Sequence, residues 1–108
     1  MLRILFVCSQ NKLRSPTAEH VFASYPGIEC VSAGTNNDAE TPLTAELVAW
    51  AQVIVVMEKQ HRTKVSTRFR WNLAGKRIVC LDIPDDYDFM QAELVGLLVA
   101  RATRFLSG

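Results

Sequence analysis

Leu2-Arg3-Ile4-Leu5-Phe6-Val7-Cys8-Ser9-Gln10-Asn11-Lys12-Leu13-Arg14-Ser15-Pro16-Thr17 is the stretch that decides the fold. Leu2–Val7 is apolar apart from Arg3 and does not alternate with polar residues, the pattern of a strand covered on both faces. Cys8-Ser9-Gln10-Asn11-Lys12 ends the run far short of a membrane span, and no small-residue cleavage site follows. Ser15-Pro16 then reads as an N-cap followed by proline at the first helical position, leading into a helix over Thr17–Ser24 that Tyr25-Pro26-Gly27 ends. A buried strand that hands over to a helix through a short polar loop is the repeating unit of an α/β protein.

Three further apolar runs have strand character: Ile28–Ala33, Gln52–Met57 and Arg77–Ile83. Helical segments lie between and after them. Thr41-Pro42 repeats the start signal before Leu43–Ala51, and Glu58 to about Phe69 forms a polar, partly irregular helix. Asn72-Leu73-Ala74-Gly75 turns the chain into the last strand. Gln91–Leu106 carries Leu94, Leu97, Leu98, Ala102, Phe105 and Leu106 near helical spacing, as an amphipathic helix does. The order βαβαβαβα implies right-handed crossovers and a parallel sheet. Its 108 residues suit one domain, residues 1–108, with no repeat, linker or low-complexity stretch.

The composition, 49% apolar and 21% charged, is that of a folded globule. Twelve Lys and Arg against eleven Asp and Glu give a net charge of +1, so no broad basic field invites nucleic acid. An anion site must therefore be local. The cysteines, Cys8, Cys30 and Cys80, are odd in number and form no C-x-x-C pair, which argues against a zinc site or a dithiol couple. The reading is of a cytoplasmic protein with reduced thiols, no membrane partner, and no metal or cofactor.

In a doubly wound sheet, ligands bind outside the carboxyl end of a strand, where Cys8–Ser15 falls. Loop N–H groups of Ser9, Gln10, Asn11, Lys12 and Leu13, with the helix N-terminus behind them, make a phosphate-sized nest. A cysteine under such dipoles and near an arginine is expected to be a thiolate at neutral pH. Arg14 can return to the loop mouth, where its fork matches two phosphoryl oxygens. Ser15 can donate to the sulfur, and Asn11 tolerates the left-handed backbone a tight cradle needs.

Cys8-Ser9-Gln10-Asn11-Lys12-Leu13-Arg14-Ser15-Pro16 matches every fixed position of C-x-x-N-x-x-R-S-[TP], and the chain thereby resembles the low-molecular-weight protein tyrosine phosphatases, whose fold also hosts one class of arsenate reductases. Val31-Ser32-Ala33-Gly34-Thr35 is similar to the family's S-A-G-T segment. Val55-Val56-Met57-Glu58 with His61 is similar to its third strand and following helix. The resemblance runs nearly end to end, in a chain shorter than typical members. With the alternation above, it gives the expected fold: a single-domain three-layer sandwich with a four-stranded parallel sheet, order 2-1-3-4, and helices on both faces. The implied activity is hydrolysis of a phosphomonoester through a phosphocysteine, with a phosphotyrosine protein or a small phosphomonoester as substrate.

An alkoxide or phenoxide leaves slowly unless an acid protonates it. Asp82-Ile83-Pro84-Asp85-Asp86-Tyr87-Asp88 follows the last strand and ends on the same sheet edge as Cys8. Laying Ile83-Pro84-Asp85-Asp86-Tyr87 on the family's Asp-Pro-Tyr run makes Asp85 the acid and Tyr87 a wall for an aromatic substrate. Asp86 stands where the family has proline, and Asp82, directly at the strand end, keeps a claim to the same role. Gln10 occupies a position often held by glycine, and Leu13 one where many members carry a second cysteine; Gln10 and Lys12 project at the rim. His20 and His61 read as packing or surface residues, Trp50 and Trp71 as core or core-edge aromatics, and Arg62, Lys64, Arg68 and Arg70 as a solvated basic face. Two other functions share the loop. One is arsenate reduction with an external thiol, since Cys30 and Cys80 lie in strands and offer no relay. The other is phosphate binding without turnover.

Overall fold

The computed structural model describes residues 1–106. In chain order they form β1 (Leu2–Cys8), α1 (Arg14–Phe22), β2 (Ile28–Gly34), α2 (Ala45–Trp50), β3 (Val53–Val56) and α3 (Lys59–Arg68). A 3-10 turn (Arg70–Asn72), β4 (Arg77–Cys80) and α4 (Ala92–Leu106) complete them. The strands are parallel, in the order β2-β1-β3-β4.

β1 is continuous in apolar residues because both of its faces are covered. Ile4, Phe6 and Cys8 turn to one side, against Ala18 and Phe22 of α1 and Leu94, Leu98 and Ala102 of α4. Leu5 and Val7 turn to the other, against Val48 of α2 and Val65 of α3. Two apolar layers thus sandwich the sheet, and the Phe6 and Phe22 rings stack at 5.7 Å between centroids. The side chain of Leu106, expected in this core, lies outside the described residues.

Element order and sheet order agree with the expectation, whereas several boundaries differ. α1 starts at Arg14 rather than behind a Ser15 cap, since the Ser15 hydroxyl is engaged with Cys8 and Asn11. α2 is capped by Thr44, whose Oγ1 accepts the Leu47 N–H at 3.2 Å. The Thr41-Pro42 signal instead marks a bridge beside β2, in which Gly34 N–H donates to Thr41 O and Leu43 N–H to Gly34 O. β4 stops at Cys80 because Asp82 adopts φ 53°, yet the ladder continues through Leu81 N–H to Val56 O and Ile83 N–H to Met57 O. α3 is regular, and its basic residues are not all solvated. Arg62 donates to Ile78 O and Arg68 to Thr35 O. Trp50 is half-buried against the α2/α3 layer, but Trp71 is 84% exposed beneath the Arg70 guanidinium, 4.7 Å from its ring. No described helix is long and apolar enough to cross a membrane.

β1 and β3 are neighbours, and the helices that follow them, α1 and α3, cross to opposite faces of the sheet. The crevice at that switch point is where Cys8 emerges.

Candidate active site

The loop after β1 folds against the segment that follows β2. Cys8 O accepts from Thr35 N–H (2.9 Å), Ser9 O from Asn36 N–H (3.0 Å) and Gln10 O from Glu40 N–H (3.0 Å). In a trans peptide the carbonyl and the next N–H point in opposite directions. The amides of Ser9, Gln10 and Asn11 therefore turn away from residues 35–40. Asn11 supplies the tight bend with φ 57°, the left-handed conformation its side chain tolerates. Gly34 makes the close approach possible, because a Cβ there would stand 2.5 Å from Ser9 O and 3.0 Å from Asn11 N.

Beneath the loop runs a chain of polar groups, buried except for the half-buried Glu19 at its end. Glu19 Oε1 accepts from Ser32 Oγ (2.6 Å), and Asn11 Nδ2 donates to both Ser32 Oγ and Ser15 Oγ, each at 2.9 Å. Ser15 Oγ, accepting from Asn11, lies 2.9 Å from Cys8 Sγ and 3.4 Å from Ala33 O, so its hydrogen can serve either, and a Cys8 thiolate, which can only accept, would draw it to the sulfur. Cys8 is 3% exposed and Arg14 is 2% exposed. Arg14 Nη1 donates to Glu58 Oε1 (2.5 Å) and to Ile83 O (2.8 Å), while its Nε lies 3.7 Å from Asp85 Oδ1. The hydrogen bond from Arg14 holds the Glu58 carboxyl below its ordinary range, against the opposing effect of partial burial.

Cys8, Gln10, Lys12, Leu13, Arg14 and Asp85 line one cavity of about 160 Å³. Gln10 and Lys12 do reach its rim. Asp82 does not line it; its carboxylate accepts from the Cys80 thiol at 3.4 Å, and it borders two other cavities. Tyr87 packs, half-buried, against the α1/α4 core and is not among the residues lining the Cys8 cavity. The acidic segment is pinned on either side of Asp85. Arg101 Nη1 holds Leu81 O and Asp82 O, Arg14 holds Ile83 O, and Met90 N–H donates to Thr17 Oγ1.

Two residues read from sequence as something lesser join the site. His61 is fully buried, with Nδ1 accepting the Glu58 N–H (3.0 Å) and Nε2 2.8 Å from Ser9 Oγ. Burial foremost, aided by the Arg14 and Lys64 charges against those of Glu58 and Asp85, pushes its pKa down to about 4. Glu58 is the anchor of Arg14. The available signal was their place directly after β3, on the same sheet edge as Cys8. Among the described residues no group of three or more His, Cys, Asp or Glu is placed to hold a metal ion.

Residues 3–52 match the family described as low molecular weight phosphotyrosine protein phosphatase. The match covers 50 of the 108 residues, and over that stretch the chain is similar to the family. The fold agrees along its whole length. The tyrosine phosphatase AmsI of Erwinia amylovora superposes with a TM-score of 0.77 at 25% identity, over 99% of this chain and 93% of that one. The low molecular weight protein tyrosine phosphatase SP-PTP of Streptococcus pyogenes gives 0.78 at 18% identity, over 99% and 92%. The YwlE arginine phosphatase of Geobacillus stearothermophilus gives 0.75 at 22% identity, over 99% and 94%. No curated protein matched the sequence. The family's phosphatase chemistry is cysteine-based, and its structural relatives differ in the phosphorylated side chain that their names report.

Proposed function

We propose that the chain, acting as a single domain over residues 1–108, is a phosphomonoesterase that works through a phosphocysteine, with phosphotyrosine proteins as its substrate class. One observation carries the proposal: Cys8, Arg14 and Asp85 line the same small cavity. Cys8 Sγ attacks phosphorus in line, and the phosphorus–oxygen bond of the ester breaks as the phosphorus–sulfur bond forms. With both Nη1 hydrogens of Arg14 committed to Glu58 and Ile83, its Nε/Nη2 edge is left for two phosphoryl oxygens. The loop amides meet the remaining oxygen. Asp85 gives its proton to the leaving oxygen, then takes one from the water that attacks the phosphocysteine. Ser15, donating to sulfur, steadies it as attacking and as leaving group. The orientation of Asp82 toward Cys80 favours Asp85 as the acid.

Phosphotyrosine is favoured by the family's description and by relatives named as tyrosine phosphatases, and Leu13 adds an apolar surface to the cavity. The test is metal-free hydrolysis of para-nitrophenyl phosphate by the parent, Cys8→Ser, Asp85→Asn and Asp82→Asn. Turnover is expected to vanish in Cys8→Ser and to fall about 10²- to 10⁴-fold in Asp85→Asn. An unaffected Asp85→Asn beside a crippled Asp82→Asn transfers the acid role. A parent without turnover under reducing conditions refutes the hydrolase. Phosphotyrosine and phosphoarginine peptides then compete; preference for the second overturns the substrate class.

A further inference from the structure

His61 lies 52 residues from Ser9 in sequence, yet is fully buried against it. Its two ring nitrogens have fixed and different partners. Because Nδ1 accepts the Glu58 N–H, the ring hydrogen of the neutral imidazole sits on Nε2 and is donated to Ser9 Oγ. Ser9 is the residue directly after Cys8, and its carbonyl is held from the opposite side by Asn36 N–H. Its peptide planes are thus clamped between the N-terminus of α3 and the segment after β2. Those planes carry the amides that begin the anion loop. Glu58, whose N–H engages the other side of the ring, holds Arg14. One imidazole therefore touches both halves of the oxyanion cradle without facing the cavity.

We propose that His61 is a positioning residue: as the Nε2–H tautomer it fixes Ser9, and through Ser9 the direction of the loop amides that receive the phosphoryl oxygens. The proposal deepens the phosphatase reading and rests on it. The groups around the ring are Arg14, Glu58, Lys64 and Asp85.

Two substitutions divide the functions of the ring. The amide nitrogen of glutamine takes the place of Nε2, so His61→Gln keeps the donor to Ser9. Asparagine takes the place of Nδ1, so His61→Asn keeps the acceptor for Glu58 N–H and loses the reach to Ser9. With para-nitrophenyl phosphate, kcat/KM is expected to fall about 10- to 100-fold in His61→Asn, the scale of a sub-ångström to ångström misplacement. His61→Gln is expected to stay within about threefold of the parent, with thermal melts locating any loss of fold. Ser9→Ala should lose as much as His61→Asn, and the double variant should lose no more than either alone. Equal activity of Asn and Gln variants, or fully additive losses in the double variant, overturns the role. Nitrogen-15 spectra of the parent ring should show a protonated Nε2 without titration between pH 5 and pH 8; a midpoint near the ordinary 6.5 overturns the fixed tautomer. If the parent has no turnover, the phosphatase reading fails by itself. The same variants are then ranked by calorimetric affinity for inorganic phosphate, where an unchanged Kd in His61→Asn refutes positioning and a tenfold rise supports it.

Discussion

Replacing Gly34 by alanine puts one methyl group into the closest backbone contact of the site. The added Cβ would lie 2.5 Å from Ser9 O, 2.6 Å from the Ala39 Cβ and 3.0 Å from Asn11 N. None of these atoms is the end of a flexible side chain. Ordinary contact begins near 3.4 Å, so Ser9 O alone must retreat by about 0.9 Å, the difference between 3.4 and 2.5 Å. Ser9 O is also the acceptor of Asn36 N–H, so the loop cannot move without stretching the bond that holds it. Overpacking of this kind costs about 1–3 kcal/mol, and displacement of a catalytic loop by about 1 Å costs on the order of 10²-fold in rate. The expected result is a folded Gly34→Ala protein with lowered thermal stability and a kcat/KM reduced about 100-fold on para-nitrophenyl phosphate. Activity within threefold of the parent, with an unchanged melting temperature, would refute the claim that the approach of β2 to the loop sets the cradle.

Gly96 provides the contrasting case, since a Cβ on that helical residue meets nothing within 4 Å. Gly96→Ala is expected to stabilise the fold by about 0.5–1 kcal/mol in urea titrations and to leave kcat unchanged; a destabilised variant contradicts the open space. The depressed pKa of His61, about 4 against the ordinary 6.5, means that the unfolded chain binds a proton the native state refuses between those values. This contribution is complete above about pH 6.5 and is lost as pH falls toward 4, by up to roughly 3 kcal/mol. Urea midpoints at pH 5 and pH 7 should therefore differ more for the parent than for His61→Gln; equal differences would contradict the assignment. Peroxide should add oxygen to Cys8 without forming a bridge within the chain. Cys30 pairs with Ile4, four residues back from the Cys8–Gly34 pair, or about 13 Å along the strands. Cys80 lies two strands away from β1, about 10 Å. Disulfides need Cα atoms within about 7 Å. Intact mass after a short pulse decides the matter, and loss of two hydrogens would sink the prediction.

The sheet was legible because its strands are apolar on both faces, and that pattern does not depend on partners. The left-handed Asn11 was legible for the same kind of reason, as a property of one residue type. Ser15 was misread because Ser-Pro carries a local cap signal, whereas in the fold its hydroxyl serves the sulfur and Asn11 instead. Asp82 escaped because Val79, Leu81 and Ile83 keep the strand's buried alternation through the point where the backbone turns left-handed. Trp71 was assigned to the core on composition alone. Its exposure follows from a short 3-10 turn that holds it outside, over Arg70. His61 was legible only by its place on the sheet edge after β3, and its contact with Ser9 was not, since that contact requires a loop 52 residues earlier.

What supports the anion loop shares one position in the topology. Each strand of a parallel sheet ends on the same edge, so the first residues beyond each carboxyl end converge, whatever their distance in sequence. Gly34 at the end of β2 allows the loop to approach, Glu58 and His61 after β3 hold Arg14 and Ser9, and Ile83 after β4 offers Arg14 its carbonyl. The nucleophile and arginine lie in one short segment and form a readable motif. Their supports are spread over three segments with no fixed spacing, because strand and helix lengths set the intervals between them. Once the order β2-β1-β3-β4 is known, those supports can be found by reading the last residue of each strand and the five or so that follow it.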